Sequence, residues 1–170
     1  MAAALLVAAL IGLVVRESAA RAAGTEVRLA ITGFDPRSPL SGHYMRFQIR
    51  DRGEVDGCPA PMIGSYDRHW IALRRDGVRH RAVAVAQDRE SAAALGLPVQ
   101  GRLYCGDGEA TLDLGVDRFH ASQAEAEAMQ EALRAPGAAG AFAVVSIGRD
   151  GKARLKGVII NGRRTDLDWL

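Results

Sequence analysis

Apolar and polar residues alternate along most of this chain, and the alternation predicts strands. In "TEVRLAITG" (25–33), Val27, Leu29 and Ile31 fall on one face. In "YMRFQIR" (44–50), Met45, Phe47 and Ile49 point one way and Tyr44, Arg46 and Gln48 the other. A period of two is that of a half-buried strand. Between these runs lies "FDPRSPLSGH", where Pro36 and Pro39 fix φ and Gly42 is free to turn, so residues 35–42 form an ordered connection.

Turn chemistry divides the rest. Asp76-Gly77 separates two β-like runs in "HWIALRRDGVRHRAVAVAQ", the strongest short hairpin signal. Taken as a two-residue loop, it sets His80 opposite Leu73 and His69 opposite Ala84. Gly106-Asp107-Gly108 and Asp150-Gly151 mark two further hairpins, and Asn161-Gly162 another tight turn. The two Arg-Asp-Gly turns have unlike flanks and do not form an internal repeat. Residues 51–68, rich in Gly and Pro, read as a loop.

Helical periodicity is confined to few places. In "SQAEAEAMQEALRAPG" (122–137), Ala126, Met129 and Leu133 share a face, and Glu125, Glu127 and Glu131 lie on the wet side. Ser122 and Glu125 have capping-box spacing, and Pro136-Gly137 ends the helix. "ESAAALGLP" suggests a brief helical turn stopped by Gly96 and Pro98. The expected body is one mainly β, α+β domain: an antiparallel β-rich fold carrying one amphipathic helix near 122–135.

The first fifteen residues, "MAAALLVAALIGLVV", are uncharged and apolar on every side. A membrane span needs about 20 apolar residues, whereas this length suits a signal-peptide core. A signal-anchor and a cleaved signal peptide both stand as readings, with "SAARAAG" offering small residues for cleavage. No basic residue precedes the run, so a start upstream is open. The expected division is residues 1–24 as anchor or signal and 25–170 as the β-rich body.

Composition narrows the partners. The chain has 170 residues and a formal net charge of +2, with Lys152 and Lys156 its two lysines. No long basic block appears, which gives no electrostatic case for nucleic acid. Arg16, Arg21 and Arg28 follow the apolar run. By the positive-inside rule they would keep the body in the cytoplasm, but long soluble domains translocate largely regardless of such charge.

Two stretches together resemble the bacterial GDYXXLXY family. Asp35-Pro36-Arg37 precedes Leu40-Ser41-Gly42-His43-Tyr44, where the family motif follows a similar turn. Later come "GVDRFHASQAEAEAMQEALR" and "GRDGKARLKGVIINGR" in matching order. Gly42 and Tyr44 match, while His43 replaces the motif Asp, Phe47 the Leu and Ile49 the last Tyr. Phe and Ile keep an apolar face; His does not keep a fixed negative charge. The resemblance implies a membrane-anchored protein, a transmembrane helix and a periplasmic domain. It also implies a multi-pass membrane protein as partner, which favours an extracytoplasmic body over the charge rule.

Catalytic chemistry finds weaker footing. His43, His69, His80 and His120 form no HExxH pair and no cluster with cysteine, so no metal or other cofactor is expected. Cys58 and Cys105 lack CxxC spacing. They suit either a structural disulfide in an oxidising compartment or free thiols. "GDGE" (106–109) is too short for a phosphate or calcium loop. Ser41, before a strand, invites a serine hydrolase reading with Lys152 or Lys156 as base, without a G-x-S-x-G elbow. Asp35, Arg37, Tyr44 and Arg46 remain as a tentative binding patch. In the structural alternative, Asp35 caps the turn, Arg37 pairs with a carboxylate and Tyr44 covers a sheet edge. The expectation is a non-enzymatic accessory protein of the envelope, with a membrane-associated serine hydrolase as the alternative.

Overall fold

A computed structural model of the chain describes residues 2–33, 44–52, 55–56, 68–106, 109–134 and 140–167. Helix α1 (Ala2–Ala23) leads into β1 (Thr25–Gly33), β2 (Tyr44–Arg52), β3 (His69–Asp76) and β4 (Arg79–Ala86). Helix α2 (Arg89–Leu95), β5 (Leu97–Gly106), β6 (Glu109–Asp113), β7 (Arg118–His120) and α3 (Gln123–Arg134) follow. The chain then forms β8 (Phe142–Ile147), β9 (Ala153–Ile160) and β10 (Arg163–Asp166).

Six strands close a barrel in the order β1-β4-β3-β5-β6-β2, and β2 returns to β1 through Ile31 opposite Ile49. Strands β8, β9 and β10 extend the sheet from Thr25–Ala30 of β1, opposite β4, and β7 extends it from Tyr44–Arg46 of β2. The pairings are antiparallel except β1 with β4, which run parallel at Leu29 and His80. Closure satisfies strand edges that an open sheet would leave to solvent.

The interior holds the residues that the alternation selects. Val27, Leu29 and Ile31 of β1 join Met45, Phe47 and Ile49 of β2, with Phe119 of β7, in one buried cluster. Strand β5 serves both halves of the wall: Leu97–Gly101 pairs β3 and Arg102–Gly106 pairs β6. Helix α3 lays Ala126 and Leu133 on this core, with Met129 partly buried beside them. The predicted capping box is present: Glu125 N donates to Ser122 Oγ at 3.4 Å, and Ser122 N donates to Glu125 Oε2 at 3.2 Å.

The hairpins form where the turns predict them, but one register differs. The β3–β4 loop is Gly77-Val78, closed by Asp76 opposite Arg79, and not Asp76-Gly77. Gly77 has φ 61° while Val78 has no positive φ, so the left-handed value falls on the first central position alone, the pattern of a type II′ turn. His80 therefore faces Arg75, not Leu73; Ala84 faces Ala72, and His69 pairs with Gly101 of β5. Among the described residues the body carries, besides α3, the short helical element expected at "ESAAALGLP". The stretch read as a brief turn is α2, whose first turn is capped by Asp88 accepting from Ser91 N at 2.8 Å. It covers Ala72 and Ala84 with Ala92, a small cluster outside the barrel.

Helix α1 departs from the expected span. Among the described residues, no helix is long and apolar enough to cross a membrane. The apolar stretch 2–15 rises about 21 Å at 1.5 Å per residue, against roughly 30 Å of hydrocarbon. Charge begins at Arg16.

Candidate functional site

Strand β2 presents Tyr44, Arg46, Gln48 and Arg50 outward because Met45, Phe47 and Ile49 fill the core. Strand β7 pairs alongside with Tyr44 opposite His120 and Arg46 opposite Arg118. Phe119 is buried between Arg118 and His120, so the flanking side chains stand on the same outer face as Tyr44. Tyr44 and His120 ring centres lie 5.9 Å apart, and the Arg118 guanidinium sits 5.3 Å from the Tyr44 centroid. Such a placement is a cation–π contact. Arg46 reaches Asp117 at 3.4 Å, and Arg118 lies 3.8 Å from the same carboxylate.

A shallow cleft of about 290 Å³ adjoins this group, lined by Arg46, Gln48, Tyr104, Thr111 and Asp113 over Leu112 and Leu114. Arg102 holds Asp113 at 3.0 Å, and Arg50 lies 3.6 Å from Glu109. Cationic and anionic side chains thus alternate across the face. An Arg/Tyr/His surface with paired charges is suited to recognising a protein segment rather than to concentrating a single-sign polyanion.

The expected patch is only partly described. Tyr44 and Arg46 share this outer face, while Asp35, Arg37, Ser41, Gly42 and His43 lie outside the described residues. Cys105 is disulfide-bonded; Cys58, the other half of the expected pair, also lies outside them. Lys156, one suggested base, donates to Glu26 Oε2 at 2.9 Å, and Lys152 is exposed on the β8–β9 turn. Among the described residues, no group of three His, Cys, Asp or Glu side chains is placed to hold a metal ion. His80 is half-buried on β4, where burial and the Arg75 charge lower its pKa.

Sequence reasoning missed three arrangements. Arg118 and His120 join Tyr44 through a three-residue strand, too short for alternation to register. Asp51 is buried on β2 within 3.6 Å of both Arg79 and Arg81. Arg154, with 7% of its side chain exposed, bridges Glu17 of α1 at 2.5 Å and Asp150 of the β8–β9 turn at 2.9 Å. The last two join residues remote in sequence, which local pattern does not link.

A closed, mainly antiparallel barrel with a polar outer face and an uncovered apolar helix defines a β-rich α+β body. Within that class the chain belongs to the GDYXXLXY family, whose sequence pattern matches residues 6–158. No curated protein and no solved structure matches it. The motif positions now have physical meaning: Phe47 and Ile49, at the Leu and final Tyr places, are core residues 1% and 4% exposed.

Proposed function

We propose that this chain is an accessory protein of the bacterial envelope that binds another membrane protein. The proposed position has the apolar part of α1 inserted in the cytoplasmic membrane and the barrel outside the cytoplasm. A multi-pass membrane protein is the proposed partner, and no cofactor takes part. The observation that carries the reading is the contrast between helix and body. Eight large apolar side chains of α1, from Leu5 (72% exposed) to Val15, are uncovered, whereas those of the barrel fill its interior. Such a surface favours lipid or protein over water. The described apolar stretch is long enough for insertion among acyl chains. A disulfide at Cys105 supports an oxidising compartment.

The Tyr44 face is the proposed contact for the partner, because tethering at the membrane raises its local concentration near other membrane proteins. A serine hydrolase acting through Ser41 remains the competing reading. Affinity capture from detergent-solubilised membranes separates them, using wild type and a folded Tyr44→Ala/Arg46→Ala variant. Binding predicts a multi-pass partner recovered by wild type and lost with the variant. Labelling of Ser41 by an active-site serine probe, with no partner recovered, would replace binding by hydrolysis. Reporter enzymes fused to the C-terminus test the side: activity of a cytoplasm-only reporter alone would reject the extracytoplasmic placement.

A further inference from the structure

Where α1 meets the body, a second cleft of about 650 Å³ opens between the helix and the β8–β9 turn. Its helix wall carries Leu13, Arg16, Glu17 and Ala20; its turn wall carries Arg149 and Lys152. Spacings of three, four and seven residues put the helix members on one face. The volume is that of a small-ligand site.

Charge in this cleft is unevenly satisfied. Four cationic side chains, including Arg154, face two carboxylates, Glu17 and Asp150. Arg154 engages both carboxylates. Arg16, Arg149 and Lys152 are exposed, and none has an ion pair among the described residues. The site therefore has a cationic surplus at its mouth and an apolar wall at Leu13.

Position supplies the ligand class. Leu13 belongs to the last turn of the apolar stretch, and Arg16 is the first charge after it. If residues 2–15 lie among acyl chains, Arg16 and the β8–β9 turn fall at headgroup level. The cleft is also held in shape. The Arg154 bridge ties helix to turn, and Gly24 runs so close to β8 that a Cβ there would strike Ser146 Oγ and the Ile147 carbonyl. We propose that the cleft between α1 and the β8–β9 turn binds the phosphate headgroup of an anionic membrane lipid. The inference rests on the membrane-insertion reading of α1.

Flotation of the full chain with phosphatidylcholine vesicles, with and without phosphatidylglycerol, tests it. Three proteins are compared: wild type, Arg149→Gln/Lys152→Gln, and Arg75→Gln/Arg89→Gln as a charge-matched control on β3 and α2. Wild type and control should bind anionic vesicles more tightly than neutral ones. The cleft variant should lose about tenfold or more of that increment while keeping neutral-vesicle binding, since each cation near an anionic surface contributes about 1 kcal/mol. Equal losses in both variants, or none in the cleft variant, would overturn the headgroup site and leave insertion standing. Failure of wild type to float with either vesicle would overturn insertion and the headgroup site together. Glycerol phosphate titrated onto the chain in detergent separates free phosphate from lipid. Saturable binding there, lost in the cleft variant and without any vesicle increment, would assign a soluble phosphate instead.

Discussion

Glu26 shows how one side chain can tie three strands. Its carboxylate on β1 accepts from Arg164 of β10 at 2.8 Å and from Lys156 of β9 at 2.9 Å. Hydrogen bonds from Arg164 and then Lys156 lower its pKa from 4.5 to about 2. A folded-state pKa below the unfolded one stabilises the fold above about pH 4.5, and that contribution fades as pH falls toward 2. Exposure screens it, so Glu26→Gln should cost no more than about 1 kcal/mol at pH 7. Urea unfolding at pH 7 and pH 2.5 should show the difference shrinking in acid; an equal difference at both would remove the ion-pair explanation. Phe47, in the motif, belongs to a different class. It is 1% exposed in the barrel core, and Phe47→Ala should cost about 3–5 kcal/mol. Arg46→Ala, which breaks a half-exposed pair, should cost under about 1 kcal/mol. If Arg46→Ala proved the costlier in denaturant titrations, the motif would owe its structure to the surface rather than the core.

At the scale of elements, α1 is tied to the body by an ionic joint beside its contact with β8. Arg154 donates to Glu17 and Asp150 at once, and it holds the Asp150 pKa at about 2 and lowers that of Glu17. Both shifts are downward, so the joint is complete above the ordinary carboxylate range and loosens as pH drops below about 4 toward 2. Arg154→Ala should release the helix base at neutral pH. Amide exchange over residues 18–23 should rise several-fold, since a charged hydrogen bond contributes about 1.5–3 kcal/mol before solvent screening. Unchanged exchange would mean that the other contacts of α1 with β8 and the β1 junction fix it without the Arg154 bridge. Helix α3 behaves differently, because Leu133 and Ala126 bury against the core and hold it by area.

For the whole molecule, closure and covalent linkage act together. The barrel ring joins residues from β1 to β6, and the disulfide at Cys105 lies on β5, the strand both halves share. A crosslink that limits the unfolded chain typically contributes 2–4 kcal/mol. Reduction should therefore lower the unfolding free energy by about that much, with the strand signature of circular dichroism retained below the transition. Identical urea midpoints with and without reductant would show the disulfide to be thermodynamically idle.

Local chemistry alone wrote much of this fold. Alternation in 25–33 and 44–50 selected the core side of β1 and β2, because a strand buries every second residue. Asn161-Gly162, Asp150-Gly151 and the Ser122–Glu125 cap acted within a few residues, so their outcome was legible. Tyr44 and Arg46 were legible as outward residues for the same reason. What the sequence left undecided required contacts between distant segments. Whether the Asp76-Gly77-Val78 stretch turned one residue earlier or later depended on strand pairing, which set His80 against Arg75. The return of β2 to β1, which turns a sheet into a barrel, follows from Ile31 meeting Ile49. Arg118 and His120 reached Tyr44, and Arg154 reached Glu17, only across folded strands. Periodicity reports which face a residue takes; tertiary packing alone decides what that face meets, because partners remote in the chain share no local signal.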